Sequence, residues 1–372
     1  MLPEYMLAKP TVFAVEDQYQ IFVPFSEQVI MWVKVGDQIF YDDCNGFLRS
    51  NTLMHKVLLP MRALDEAGSY TVVYKKIIER KPYRPTSEPE REITVSFRPV
   101  PKQGEIRLYH VADAHNMVDF PIAAGQYFGD SLDLLVLNGD LPNHSGDIRN
   151  FDAICYIASG ITGGHCPVVF ARGNHDTRGL HAEDMPNYIP TRNGWTYYTF
   201  RVGCVWGLVL DCGEDKDDSH VEYGGTVCFH QFRLRETEFI KEVIANAKKE
   251  YEAEGVQHRL VISHIGFTYI KKAPFDIENE IYTEWCRLMR EYIQPELLLY
   301  GHYHKTYISP VGSDFDHRGQ ACTAIIGSKP IRDENKNGLG FVGCGIVLRE
   351  DGKKRVIFND HTGAVLGDEI ID

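Results

Sequence analysis

The chain has 372 residues, of which 44% are hydrophobic, enough for two domains of ordinary size with buried cores. Its formal net charge is −13, from 39 lysines and arginines against 52 aspartates and glutamates. Such a surface repels polyanions, because nucleic-acid binding depends on lysine and arginine contacts with phosphates. The composition therefore excludes long DNA or RNA as an expected partner, and it leaves small anionic substrates open.

No targeting or membrane signal is visible in the sequence. The first residues, MLPEYMLAKP, lack the basic start and apolar run of a signal peptide. No stretch approaches the roughly 20 apolar residues that cross a bilayer. Nine cysteines are scattered without CxxC spacing, a pattern typical of reduced thiols. We therefore expect a cytoplasmic protein that does not associate with membranes. The sequence indicates nothing about oligomeric state.

Residues 1–100 contain short β-rich runs separated by Gly, Asp, Asn and Pro, which predicts a small all-β sandwich. The segment LDEAGSYTVVY, with Asp65, Gly68 and Tyr70, is similar to the tyrosine-anchored corner of immunoglobulin-like domains. Cys44 has no second cysteine nearby, so a disulfide within this region is excluded. We expect an accessory domain of the fibronectin-III-like kind over 1–100, with a linker at 100–104. The predicted strands are TVFAVED, YQIFVPF, QVIMWVKV, QIFYDD, KVLLPM, SYTVVYKKI and REITVSF.

From residue 105 onward, apolar strands alternate with helical stretches, which predicts an α/β domain over 105–372 with a sheet buried on both faces. The clearest helix covers 232–255 and ends at Gly255. Its apolar stripe is formed by Leu234, Phe239, Ile240, Val243, Ile244 and Ala247. The predicted strands are IRLYHVAD, LDLLVLNGD, CPVVFARGN, GLVLDCG, RLVISHIG, LLLYGHYH, TAIIGSK, GFVGCGIVL and KRVIFND.

Five polar motifs follow five of these strands directly. In open α/β sheets the carboxyl ends of the strands share the edge where ligands bind, so we expect these side chains to meet there. Burying carboxylates and imidazoles costs several kcal/mol unless they are paired or bind a metal. Imidazole and carboxylate donors suit Zn, Mn and Fe. The motifs are Asp113-Ala-His115, Gly139-Asp140, Gly173-Asn174-His175-Asp176, Ser263-His264 and Gly301-His302-Tyr303-His304.

The order DxH, GD, GNH[D/E], isolated His and GHxH resembles that of the calcineurin-like metallophosphoesterases over about residues 105–365. The resemblance implies a β-sandwich flanked by helices, in α/β/β/α layers, and two metal ions of the Mn, Fe or Zn kind. It assigns one ion to Asp113, His115, Asp140 and His304. It assigns the other to Asp140, Asn174, His264 and His302, so that Asp140 would bridge the pair.

The resemblance also implies the reaction, which is hydrolysis of a small phosphate ester by a hydroxide that bridges the two metals. His175 would handle the proton of the leaving group, and Asp176 would accept a hydrogen bond from its ring. Arg178 is a candidate phosphate clamp, because its guanidinium matches oxyanion geometry. Whether the ester is a monoester or a diester stays open, since that depends on a group that clamps a dianionic terminal phosphate.

Purple acid phosphatases combine a similar N-terminal sandwich with this catalytic core, but their GDxxY motif contributes a tyrosine to iron. In this chain Asn143 occupies the tyrosine position, and His115 replaces the glycine of their DxG motif. We therefore expect no iron–tyrosinate centre, and we expect Asn143 to face the substrate. Two alternatives remain, a nuclease on the same core and a non-catalytic metal-binding scaffold. The acidic segment 214–222 is expected to be a solvated loop or a lid near the pocket, with Tyr223 as a possible contact.

Overall fold

Residues 2–372, which the structure describes, form an α/β fold with a mixed β-sheet and few helices in a computed structural model. No helix among these residues combines the length and the apolar character needed to span a bilayer. The helices are α1 (Met61–Ala67), α2 (Asp119–Gly125), α3 (Asp152–Thr162), α4 (Phe229–Ala245) and α5 (Asn279–Leu288). The strands are β1 (Thr11–Val15), β2 (Gln18–Pro24), β3 (Val29–Val35), β4 (Gln38–Tyr41), β5 (Asp43–Cys44), β6 (Phe47–Leu48), β7 (Met54–Pro60), β8 (Ser69–Glu79), β9 (Thr86–Ser87), β10 (Arg91–Ser96), β11 (Ile106–Val111), β12 (Leu134–Asn138), β13 (Val168–Ala171), β14 (Tyr198–Val202), β15 (Val205–Leu210), β16 (His258–Ser263), β17 (Leu297–Tyr300), β18 (Lys305–Ser309), β19 (Ala324–Arg332), β20 (Gly338–Leu348), β21 (Lys354–Asp360) and β22 (Val365–Ile371).

A sheet of 15 strands positions the polar motifs. Within it β11, β12 and β13 are parallel, and β15, β16, β17 and β19 form a second parallel set. Strand β20 pairs antiparallel with β11 and with β19, so it joins the two sets. Because parallel neighbours end at the same edge, the segments after β11, β12 and β13 come together, as do those after β16 and β17.

Side chains on both faces of this sheet are buried. In β12, Val136 lies in a central cluster with Ile262 of β16, whereas its neighbour Leu135 lies in a cluster with Ile154 of α3. Trp285 of α5 belongs to a third cluster, on the face away from the centre. Successive side chains of a strand point to opposite faces, so each continuous apolar run contributes side chains to two hydrophobic cores, one on each face of the sheet. The sheet is thus buried on both faces, as its sequence predicts.

The N-terminal region contains a strand at each of the seven predicted runs, but these strands are distributed over two sheets. Strands β1, β2 and β7 extend the large sheet, where β1 pairs parallel with β13. Strands β3, β4, β8, β9 and β10 form a separate sheet. The Tyr70 hydroxyl donates to the carbonyl of Gly164, 3.1 Å away, so it binds outside the predicted corner. Tyr70 and Leu134 share one core cluster. The division into domains at 100–104 therefore stays a prediction.

Helix α4 differs from its prediction in length and in its buried face. It ends at Ala245 and not at Gly255. Beyond it the chain turns, so that Trp206 donates from Nε1 to Glu250 Oε2 over 2.9 Å and the turn packs against the sheet. Leu234, predicted to be buried, is 40% exposed, while Arg233 is buried at 1%. Arg233 can be buried because its Nε donates to the carbonyl of Cys212 over 2.8 Å. Strands β5, β6, β9, β14, β18 and β22 were not predicted as separate strands.

Candidate metal centre

The backbone at the strand ends adopts a left-handed conformation that residues other than glycine rarely take. Asp113, His115, Asp140, His302 and His304 have φ values of 59°, 46°, 53°, 67° and 49°. Such left-handed residues cost energy and persist where the surrounding structure fixes them, typically at functional sites. These five are among the seven metal-ligand candidates that the sequence identifies. The strand ends are therefore shaped to aim particular side chains, and not only to reverse the chain.

The motif glycines allow the strand ends to approach each other. A Cβ atom on Gly139 would lie 2.6 Å from the Cα of Gly173 and 2.6 Å from Nδ1 of His264. A Cβ on Gly301 would lie 2.7 Å from the Cβ of Ala112 and 2.9 Å from the same His264 nitrogen. Real Cβ atoms essentially never come within 3.0 Å of such neighbours. Glycine is thus required at these positions by packing.

The first group consists of Asp113, His115 and His304, with Asp140 beside them. The Nε2 atoms of His115 and His304 are 3.0 Å apart. His304 Nε2 lies 3.4 Å from Asp113 Oδ1, and His115 Nε2 lies 4.0 Å from Asp140 Oδ2. One ligand atom from each of Asp113, His115 and His304 falls within 4.8 Å of the others. These four side chains are those that the resemblance assigns to one ion.

The second group lies on the other side of Asp140. His264 Nε2 is 3.0 Å from Asp140 Oδ2, and His302 Nδ1 is 2.9 Å from Asn174 Oδ1. Asp140, His264 and His302 also offer ligand atoms within 4.8 Å of one another. Asp140 touches both groups through the same carboxylate, so its position suits a bridging ligand. The structure thus brings all seven predicted ligand residues together.

The chemistry of this cluster fits bound cations. Asp113 Oδ2 is buried without a hydrogen-bond partner, which is costly for a polar atom unless something charged binds it. Burial lowers the pKa of His115 to about 4, although Asp140 opposes this, so its ring nitrogen keeps a lone pair. Burial raises the pKa of Asp140, but His264 and its neighbours outweigh this and hold that pKa well below its usual range. Burial lowers the pKa of His264, but the Asp140 carboxylate and its neighbours outweigh this and raise that pKa to about 10. A cation bound at this nitrogen would therefore displace a proton, as metal binding to imidazole ordinarily does. Carboxylates beside imidazoles are the donor set of a transition-metal site.

Neighbouring groups fix the orientation of the candidate ligands. His264 Nδ1 lies 2.6 Å from the carbonyl of Asn138, which directs its Nε2 towards Asp140. The backbone N–H of His302 donates to Asp113 Oδ1 over 3.0 Å. Hydrogen bonds of this kind hold metal-binding side chains in their binding geometry.

His175 lies beside the cluster, but its predicted partner is wrong. Its Nδ1 is 2.9 Å from the carbonyl of Asn143, and no hydrogen bond joins its ring to Asp176. Asp176 Oδ2 accepts from the backbone N–H groups of Gly173 at 2.7 Å and Asp140 at 3.3 Å. Burial, then the Asp140 charge, raises the pKa of Asp176 to about 8. The prediction failed because the tight turn directs the Asp176 side chain inward, against the backbone, and not towards its sequence neighbour.

Arg178, the candidate phosphate clamp, is held by carboxylates. Its Nε and one terminal nitrogen donate to the two oxygens of Glu214, each over 2.8 Å. Asp215 and Glu222 lie 3.5 and 3.6 Å away. This guanidinium is already paired with carboxylates, so its role as a phosphate clamp stays a prediction. Asn143 approaches the cluster through its carbonyl, which faces His175.

The acidic segment 214–222 is more ordered than predicted for a solvated loop. Tyr223 is 7% exposed and donates to Glu214 Oε2 over 3.0 Å. The segment forms one wall of a cavity of about 570 Å³, which Arg172 and Phe232 also line. None of the seven ligand candidates lines this cavity.

Two residues near the cluster lie outside the five motifs, although Asp215 belongs to the acidic segment 214–222. Lys271 Nζ lies 2.7 Å from His302 Nε2, and Asp215 Oδ2 lies 3.7 Å from the same nitrogen. Burial lowers the pKa of Lys271, and the Asp215 carboxylate opposes this. Neither residue belongs to a motif. Lys271 stands beside Lys272 in a polar loop, where lysines are ordinarily solvated.

A family model described as calcineurin-like phosphoesterase matches residues 106–306, a range that contains all five motifs. No curated protein matches the chain. Among solved structures, purple acid phosphatase PPD1 from yellow lupin (Lupinus luteus) seeds is similar with a TM-score of 0.60 and 13% identity, covering 98% of this chain and 74% of the other. PhoD is similar with a TM-score of 0.56 and 12% identity, covering 100% and 90%. At these identities, the two similarities are evidence for a shared fold only.

Proposed function

The chain belongs to the calcineurin-like phosphoesterase family, and on that premise we propose that it hydrolyses small phosphate esters with the help of two bound metal ions. One observation carries the proposal. Seven donor side chains from five strand ends, Asp140 among them, converge at one place, and some of their buried atoms lack a hydrogen-bond partner. A fold that only needed stability would not retain such atoms, because each costs free energy.

We assign Asp113, His115, Asp140 and His304 to one ion. Asp140, Asn174, His264 and His302 would hold the other. Ions of the Mn, Fe or Zn kind, when bound there, lower the pKa of coordinated water and neutralise charge on the phosphoryl group. Only two of the seven ligands are anionic, so the loaded site keeps a net positive charge and attracts phosphate.

In this proposal His175 moves the proton of the leaving group. Its Nδ1–H donates to the carbonyl of Asn143, which leaves Nε2 free to give or take a proton. One of its ring nitrogens lies within 4.8 Å of ligand atoms of His115 and Asp140. Asp176 acts as a positioning residue, because its carboxyl group ties the turn at Gly173 to the backbone of Asp140.

The net charge of −13 also supports a small substrate over a nucleic acid. Asn143 stands where purple acid phosphatases carry the iron-binding tyrosine, so we propose a site without iron–tyrosinate colour. A scaffold that does not catalyse would be free to lose donors, and here all seven remain around one carboxylate.

The test is metal restoration. Purified protein is stripped with a chelator and reloaded separately with Mn, Fe, Zn or Mg. It is then assayed on p-nitrophenyl phosphate, a monoester, and bis-p-nitrophenyl phosphate, a diester. We expect turnover that returns with metal and two ions per chain by elemental analysis. Two bound ions without turnover of any ester would favour the scaffold, and failure to bind metal would refute the assigned centre.

A further inference from the structure

The cavity of about 570 Å³ has no role in the proposed reaction. It is lined by the two ends of the acidic segment 214–222, by the start of helix α4 and by the chain that follows Asp176. None of the seven ligand candidates lines it, and neither does His175. Its size is within the range of small-molecule sites in proteins. A ligand of its own is therefore the question that this cavity raises.

Much of the cavity wall is apolar. Phe229 and Phe232 of α4 both line it, with ring centroids 6.0 Å apart. Leu180 also lines it and is 77% exposed, and Val221, next to the lining residue Glu222, is 88% exposed. Single exposed apolar side chains are ordinary, but several of them grouped at one cavity are typical of a binding site. The wall thus suits a ligand with an aromatic or aliphatic body.

Two of the lining carboxylates are already neutralised within the protein. Glu214 accepts from two nitrogens of Arg178, each over 2.8 Å. Glu222 lies 2.9 Å from the ammonium of Lys216. A cationic ligand would have to displace these partners to reach either carboxylate, and breaking such ion pairs costs free energy. These two acidic residues therefore do not make the cavity a site for cations.

Arg235 is the lining cation that keeps its hydrogen-bond donors free. Across residues 2–372 no carboxylate oxygen lies within 4.0 Å of its guanidinium, which lies over the ring of Trp195 at 5.4 Å. It follows Phe232 by three residues, so both lie on the same side of α4. Glu183, the remaining lining carboxylate, belongs to a separate loop and is exposed to water, which screens its charge. The free donors are thus beside the aromatic part of the cavity.

We propose that this cavity binds a small carboxylate with an aromatic or other apolar body, at a site separate from the metal centre. The apolar body packs against Phe229 and Phe232, and the carboxylate accepts hydrogen bonds from Arg235. A guanidinium fits a carboxylate through two parallel hydrogen bonds, which are stronger than bonds between neutral groups. The inference does not depend on the proposed function, because no proposed ligand or proton-transfer residue lines the cavity.

The experiment is calorimetric titration of the full chain with phenylpropionate. Saturating inorganic phosphate is added in a parallel titration, so that the metal centre is occupied by another anion. Phenylpropanol and phenylpropylamine have the same ring and chain without the carboxylate, and they test whether the negative charge is recognised. The variants are Arg235→Ala, Phe232→Ala and Leu180→Ser. Lys241→Ala is the matched control, because it removes an exposed cation of the same helix outside the cavity.

We expect phenylpropionate to bind with a Kd of about 1 mM or tighter, as its small size allows. It should bind at least about fivefold more tightly than the alcohol or the amine, because only the carboxylate pairs with a guanidinium. Arg235→Ala should weaken binding about tenfold, and Phe232→Ala by a similar factor. Leu180→Ser should weaken it about threefold. Lys241→Ala and added phosphate should each change the Kd less than about twofold.

Several results would overturn the inference. Absence of binding at about 10 mM phenylpropionate would show that the cavity does not take this class of ligand. Equal affinity for the acid and the alcohol, or tighter binding of the amine, would refute recognition of a carboxylate. Loss of binding in phosphate would place the probe at the metal centre instead. If Phe232→Ala fails to fold, Arg235→Ala and Leu180→Ser decide, since both change exposed residues; unchanged affinity in these two would refute the site.

Discussion

Gly173→Ala offers a sharp test of how the site is built. A Cβ at this position would lie 2.2 Å from Asp140 Oδ1 and 2.4 Å from the Asp140 backbone nitrogen. Ordinary van der Waals contact begins at 3.4 Å, so Asp140 or the turn would have to move by about 1.2 Å. The atom that must move belongs to the proposed bridging ligand, and the same turn carries Asn174 and His175.

The size of the effect follows from this displacement. Forcing one extra carbon into a packed site costs about 1–3 kcal/mol of unfolding free energy. A misplacement of about 1 Å in a catalytic centre costs about a hundredfold in rate. We therefore expect Gly173→Ala to lower kcat/KM at least about a hundredfold and to weaken metal binding, measured by chelator competition beside urea denaturation.

The control is Gly363→Ala. Gly363 has a φ of +86°, and a Cβ there would meet no atom within 4 Å. This substitution should cost about 1–2 kcal/mol through backbone strain alone. The two variants thus lose comparable stability, but only Gly173→Ala should lose metal and turnover. If Gly173→Ala keeps wild-type metal affinity and a rate within about threefold, the close packing of the strand ends is not what positions Asp140.

Three further predictions concern single side chains. His175→Ala should keep both metal ions and lose about 10²–10⁴ in kcat, and metal loss would show that the ring supports the ligands instead. Asp140→Asn should weaken both metal positions, so elemental analysis that still finds two tightly held ions would contradict a shared ligand. Glu236→Gln should stabilise the fold progressively as the pH rises above about 4.5, because burial, with Asp211 nearby, raises the pKa of Glu236 well above its usual value. The protonated wild-type side chain contributes its full stabilisation at low pH, and this stabilisation is lost as the pH rises towards the raised pKa. Urea denaturation at pH 5 and pH 8 should therefore give a larger difference in unfolding free energy between the two proteins at pH 8.

The sequence singles out the seven candidate ligands for a physical reason. Apolar strands that end in Asp or His are costly unless those ends meet a common partner, so the pattern is visible without coordinates. The motif glycines can be read in the same way, because each allows a neighbouring strand end to come close. The structure brings Asp113, His115, Asp140, Asn174, His264, His302 and His304 together.

The partners of side chains next to the motifs could not be predicted. Asp176 follows His175, yet its carboxyl group binds the backbone at Gly173 and Asp140. Arg178 is close to the motif in sequence, but Glu214, which is 36 residues further along the chain, neutralises it. In both cases the partners are set by how the turn and a distant segment pack, which sequence proximity does not reveal.

What the sequence by itself determined is most of the strands, their buried character and the candidate donors at their ends, because these depend on local pattern and on the cost of burying charge. Only the tertiary structure decided which cations remain unpaired and how the N-terminal strands attach. Lys271 meets His302 from a loop 31 residues away, and β1 joins β13 across more than 150 residues. Such pairings depend on how loops and sheet edges pack in space, which no local pattern encodes.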